Sequence, residues 1–222
     1  MDYTLKRSRR KTISIRVGES GVEVRAPLQV SQREIDSFVD QKTAWIERSR
    51  TKMAEIVSSR AAFKLDYGVS IQLLGDSCPI LAREGDRIGF EKKCFFLPSD
   101  LTSAEIKEYC IEIYRGIAQE FLKDRTRALA ELIGKTPRRI RITAARTRWG
   151  SCSSEGYINY SWKLMMAPLK VIDYVILHEL THLKFLNHSS AFWEALAVVL
   201  PDYRERQKEL KVLQQRLVRE DW

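Results

Sequence analysis

Histidine is scarce in this chain of 222 residues: there are three, and all lie between positions 178 and 188. Cysteine is scarce too. Cys78, Cys94, Cys110 and Cys152 form no C-x-x-C pair and follow no regular spacing, which excludes a disulfide framework or a structural zinc ribbon and implies reduced thiols. No apolar run approaches the eighteen residues a membrane helix needs, and Met1 to Arg10 is polar and basic. These features give the expectation of a cytoplasmic protein with no membrane partner. No methionine follows Met166, and no acidic residue lies between Leu132 and Ser154. Internal repeats and low-complexity segments are absent as well.

What is present is concentrated in one place. His178-Glu179-Leu180-Thr181-His182 reads H-E-x-x-H, and His188 follows six residues later. Residues four apart on a helix share a face, so His178 and His182 can aim two imidazole nitrogens at one point with Glu179 beside them. In this signature two histidines bind Zn²⁺ and the glutamate serves as general base. A histidine on an apolar helix is more often a hydrogen-bonded core residue. Here, however, Val171, Ile172, Val175, Ile176 and Leu177 are apolar nearly all round after Pro168, so the helix is expected to be buried, and buried polar groups need partners.

The third ligand is read as His188, ten residues after the first histidine, with carboxylates at Glu194 or Glu205 as rivals. The histidine spacing equals that of the metzincins, H-E-x-x-H-x-x-G-x-x-H, but Phe185 replaces the glycine. The Met-turn is also missing, so the chain falls outside the metzincins proper. Asn187 tolerates a left-handed conformation and is expected to make the turn that returns His188 to the metal.

Periodicity suggests two parts without a flexible linker, 1–99 and 100–222. Tyr3 to Leu5, Thr12 to Val17 and Val22 to Ala26 read as strands. Ser31 and Glu34 form a capping box for a helix whose apolar stripe runs from Ile35 to Ile46, with Val30 and Ile35 as a hydrophobic staple. Strands broken at Gly75-Asp76 and Gly85-Asp86 occupy Tyr67 to Leu97. A second capping box, Thr102 with Glu105, opens a long helix burying Ile106, Cys110, Ile113, Ile117 and Phe121. Arg138 to Thr143 and Gly156 to Tyr160 read as strands before the histidine helix. Helices near Ala191 to Leu200 and Pro201 to Leu217 follow it.

From Arg148 to Trp193 the chain resembles the YgjP-like zinc metallopeptidases, relatives of the SprT-like and WLM proteins. The resemblance rests on Arg148-Trp149-Gly150-Ser151-Cys152-Ser153, Ala167-Pro168, Tyr174-Val175, the H-E-L-x-H helix, Asn187-His188 and Phe192-Trp193. It implies an α+β fold with a zincin-like catalytic half behind a β-rich N-terminal half. It further implies His178, His182 and His188 as ligands of one zinc ion, Glu179 as the catalytic residue, and a peptide or protein substrate. In such enzymes an edge strand above the metal pairs with the substrate backbone, and Ile158-Asn159-Tyr160 is the candidate. Arg148 or Tyr203 would supply the oxyanion donor, and Asn159 a substrate contact. Cys152 admits two readings, a thiolate that masks the metal or a small buried residue in a tight turn.

Charge raises a second class of function. Lys and Arg number 38 against 29 Asp and Glu, a net charge of +9. Lys135, Arg138, Arg139, Arg141, Arg146 and Arg148 form a stretch without an acid, so nucleic acid is a candidate partner through residues 135–148. A solvated basic face is the plainer reading. The alternative function is then a protease acting on DNA-bound proteins, as SprT-like relatives do, or a noncatalytic binding module with a structural metal.

Overall fold

A computed structural model describes residues 1–145 and 147–222; Arg146, one of the six basic residues above, lies outside the described residues. The chain adopts the α+β class expected from its sequence, in two compact units: Met1–Phe63 with Leu217–Trp222, and Lys64–Arg216. The first unit thus ends within the 1–99 part read from the sequence.

In the first unit, strands β1 (Thr4–Ser8), β2 (Ser14–Gly18) and β3 (Gly21–Pro27) form a mixed sheet in the order β1-β3-β2. Alternation buries Val22, Val24 and Ala26 of β3 on one face, against Ile35, Val39 and Ile46. The Ser31–Glu34 capping box forms as the sequence indicates. The helix it opens ends early, however. Lys42 leaves helical geometry and separates α1 (Gln32–Gln41) from α2 (Thr43–Ala62), where the apolar pattern suggested one continuous stripe.

The second unit carries the histidines. Strands β4 (Ser70–Leu73), β5 (Asp76–Arg83), β6 (Gly89–Glu91) and β7 (Cys94–Pro98) order as β4-β5-β7-β6. This sheet belongs with the later helices because its side chains dock on α3 (Ser103–Ile133). Phe95 meets the Tyr114 ring at 5.2 Å between centroids, and the Tyr114 hydroxyl donates to Gln72 O at 2.6 Å. Leu74 N also donates to Met165 O at 2.7 Å. Gly75 (φ 95°) sits so close to Pro168 that an added Cβ would lie 3.1 Å from its Cα, which brings the β4–β5 turn against the start of the histidine helix.

Helix α3 starts at its Thr102–Glu105 capping box and stops at left-handed Gly134. It backs both α4 (Leu169–Thr181) and a small sheet of β8 (Arg139–Thr143), β9 (Gly150–Cys152) and β10 (Tyr157–Ser161). Helix α4 is buried along nearly its whole length, from Val171 to Thr181, as its sequence implies. Arg125 of α3 grips Asp173 of α4 with two parallel hydrogen bonds of 2.7 Å. Helices α5 (Ser190–Val199) and α6 (Tyr203–Arg219) follow the histidine segment, the last residues of α6 counting with the first unit. Among the described residues, no helix is long and apolar enough to cross a membrane.

Candidate metal centre

Helix α4 delivers His178 and Glu179 in its last turn and His182 at its C-cap. Beyond it the chain tightens: Leu183, Lys184 and Phe185 donate to Leu180 and Thr181 carbonyls, and the segment turns back to bring in His188. Asn187 does not make this turn by a left-handed conformation, since its φ is not positive. Its side-chain oxygen instead accepts from Ser189 N at 3.3 Å, at the entrance to α5. Phe185 therefore needs no glycine substitute. Its carbonyl accepts from His182 Nδ1 at 2.9 Å, a role any residue type could fill.

One ligand atom from each of the three histidines lies within 4.8 Å of the others. The Nε2 atoms of His178 and His188 are 3.0 Å apart. A tetrahedral zinc with ligands at about 2.0–2.1 Å would hold two nitrogens roughly 3.3 Å apart, so the spacing suits a shared metal. Because a carbonyl can only accept, His182 Nδ1 must carry the proton, which leaves its Nε2 lone pair free for a metal. Burial, then His182 and His188, push His178 down to about 3; burial and His182 push His188 down as well. Both rings are therefore neutral at physiological pH, the form that binds metal. His178 Nδ1 is buried with no hydrogen-bond partner among the described residues. The donor set and its protonation fit a divalent metal.

Glu179 is buried, and burial pushes its carboxyl up to about 8 while Arg148 pulls it back. Strand β9 closes over it. A Cβ on Gly150 would stand 2.5 Å from Glu179 Oε1, so only glycine lets the strand and the carboxylate approach this closely. The role of Gly150 is not legible in the sequence, where the segment reads as a turn. Its signal was a glycine inside a short motif, unreadable without the helix it faces.

The small sheet orders as β8-β10-β9, so β10 is the central strand and both its edges are occupied. Ile158 to Tyr160, expected to form a free edge, is thus the central strand, and beside it the free edge among the described strands belongs to β9. Ser161 N donates to Trp149 O and Ser153 N to Tyr157 O, which assigns residues 149, 151 and 153 to the β10 side. By antiparallel alternation the main-chain groups of Gly150 and Cys152 point to the other edge, where no described strand pairs.

Asn159 is cross-strand from Ser151 and bonds its hydroxyl at 3.3 Å. Gly150 pairs with Tyr160 and faces Glu179, so Asn159 lies on the opposite face of the sheet. There it lines, with Arg148, Trp149 and Ser161, a cleft of about 330 Å³. Tyr203 lies elsewhere. Its ring stacks on Trp193 at 5.4 Å, and Trp193 stacks on His188 at 5.4 Å, while its hydroxyl accepts from Arg204 Nε at 3.1 Å. Phe192, fully buried, packs against all three histidine rings, another contribution the sequence did not reveal. Of the rival ligands, Glu194 and Glu205 are exposed, and neither joins the histidine cluster. Cys152 is half-buried; burial first, then Glu179, raises its thiol to about 11, which disfavours a free thiolate.

A comparison with curated proteins gives no match. Among solved structures the chain is similar to the crystal structure of the metallopeptidase zymogen of Pyrococcus abyssi abylysin, with 23% identity and a TM-score of 0.39, over 41% of this chain and 92% of that one. The family model of the YgjP-like metallopeptidase domain matches residues 11–213, spanning both units and the entire histidine centre. By that match the chain belongs to the YgjP-like metallopeptidases.

Proposed function

We propose that the chain is a zinc-dependent endo- or exopeptidase in which His178, His182 and His188 hold one zinc ion and Glu179 is the general base. The observation that carries this reading is the convergence of three imidazoles, two Nε2 atoms 3.0 Å apart, beside a buried carboxylate. A zinc ion in this set would polarise the scissile carbonyl and lower the pKa of a water to about 7. Glu179 takes the proton of the attacking water and returns it to the leaving amine. The Arg148 guanidinium favours the ionised carboxylate that this first transfer needs. The outward main-chain groups of Gly150 and Cys152 pair with an extended substrate, and peptide binding through the backbone places few demands on sequence.

A nucleic-acid partner for residues 135–148 is the competing proposal and has less support. Arg139 and Arg141 share one exposed face of edge strand β8, but Lys135 is already engaged with Leu183 O at 3.1 Å. It requires salt-sensitive DNA binding that is indifferent to Glu179.

The deciding experiment is elemental analysis with peptide hydrolysis on wild type, Glu179→Gln and His188→Ala. Expected are about one zinc per wild-type chain, retained in Glu179→Gln with activity reduced at least a hundredfold, and largely lost in His188→Ala. Zinc retained by His188→Ala would remove that residue from the ligand set. Full activity of Glu179→Gln would end its role as base.

A further inference from the structure

The stack that runs from His188 through Trp193 to Tyr203 leads away from the metal centre into a second cleft, which the reaction as described does not use. Its volume is about 420 Å³, and it is lined by Trp193, Tyr203, Arg204, Gln207 and Lys208. Two of the five residues are cationic, two are aromatic and none is acidic. Arg204 and Lys208 are one turn apart at the start of α6, so their side chains share a face. Arg204 spends only Nε on the Tyr203 hydroxyl. Its two terminal nitrogens remain available for a planar, two-oxygen acceptor. Of the acids on that helix, Glu209 is tied to Lys170 at 2.7 Å, and Glu205, although its charge reaches Arg204, does not line the cleft.

We infer that this cleft is a substrate subsite selective for a carboxylate, presented by a peptide as a Glu or Asp side chain or as its free C-terminus. The inference rests on the peptidase reading above. Trp193 carries it, because the ring that stacks on His188 at 5.4 Å is also a wall of the cleft, which puts the cleft one ring away from a candidate metal ligand. The aromatic walls hold the aliphatic stem of the residue, and the guanidinium with the ammonium meets its charge. Arg204 and Lys208 are thereby specificity-determining residues, outside the chemical step.

The test uses zinc-loaded full-length protein and a peptide series of one parent sequence. Each member has Glu or Gln at successive positions, with a free or an amidated C-terminus. The expected result is a preference of roughly tenfold in kcat/KM for Glu over Gln at one position, or for the free acid over the amide. The first outcome assigns a side-chain carboxylate and the second a terminal one. In Arg204→Gln/Lys208→Gln, with zinc content and melting temperature as wild type, that ratio should fall to about one. In Arg204→Glu the position should instead favour Lys. A wild type without either preference, or a ratio untouched by the double variant, overturns the subsite. If wild type cleaves no peptide, the peptidase reading fails separately. The subsite is then judged by titrating the same peptides into zinc-loaded Glu179→Gln while following tryptophan fluorescence. Equal affinity for the Glu, Gln, acid and amide forms would overturn it there.

Discussion

Glu179 illustrates how a single carboxyl is set by its surroundings. Burial disfavours its charged form and raises it from the ordinary 4.5 to about 8, so in metal-free protein it holds a proton that the unfolded chain would release. His178 is shifted the other way, from 6.5 to about 3, and there the unfolded chain holds the extra proton. Below 6.5 the histidine therefore makes stability rise with pH, offsetting the carboxyl where the two windows overlap. Between 6.5 and 8 the carboxyl acts without that offset, and stability falls with rising pH, by on the order of 1 kcal/mol. Urea denaturation of chelator-treated protein at these two pH values should show the decline in wild type and a flat response in Glu179→Gln. An equal decline in the variant would place its origin in another group. Gly150 is the structural counterpart of this carboxyl. A methyl at residue 150 would fall 2.7 Å from Glu179 Cγ and 2.8 Å from Cδ, so the side chain must move. Gly150→Ala is expected to keep its metal yet lose about a hundredfold in kcat/KM, the cost of displacing a catalytic group by about 1 Å. Steady-state kinetics beside metal analysis would separate this from a folding defect.

At the level of elements, the site depends on how α4 is held. Its apolar circumference packs under α3 and the small sheet, while its polar groups include Lys170 and Asp173 near the start and His178 and Glu179 in the last turn. The Arg125–Asp173 pair fixes the register of α4 against α3 with two bonds of 2.7 Å. Arg125 is about one-third exposed and Asp173 less so, and solvent screening reduces the pair accordingly. Arg125→Ala should cost about 1–2 kcal/mol in urea denaturation. Asp173→Asn alone should cost a similar amount, and a double-mutant cycle with the two changes should show strong coupling. Additive effects would mean that the pair does not act as a clamp. Strand β9 is the opposite case, a three-residue element with one edge paired and one open. Its shortness limits unwanted strand pairing, and in the proposed reading the main-chain groups of two residues are offered to a peptide.

For the whole molecule, the bond between metal and fold is the accessible quantity. The three candidate ligands from α4 and the segment after it converge only when the chain is folded, so a metal bound there would stabilise the native state by linkage. At a free metal concentration a thousand times its dissociation constant the gain is about 4 kcal/mol, and a chain of this length melts roughly 2–4 °C lower for each kcal/mol removed. Chelation should therefore lower the melting temperature by about 10 °C, reversibly on adding zinc. A melting temperature indifferent to chelator would separate the histidine cluster from stability.

Much of the second unit was legible because its signals are local. The capping box at Thr102, the apolar circumference of α4 and the i, i+4 spacing of His178 and His182 each follow from a few neighbouring residues. These determined the long backing helix, the buried histidine helix and the identity of the clustered imidazoles. Pairing between distant segments was not local and was decided by tertiary structure alone. Which edge of the small sheet stays open depends on β10 lying between β8 and β9, and a strand's pattern of side chains does not name its neighbours. The placement of β4 to β7 with the histidine unit depends on Phe95 and Gln72 meeting Tyr114. Gly150 against Glu179, and Trp193 between His188 and Tyr203, likewise exist only once the elements are packed. The sequence by itself determined which chemical groups the centre contains, because residue type and helical spacing are properties of the chain. Only the tertiary structure decided what those groups face, because close approach depends on packing between segments far apart along it.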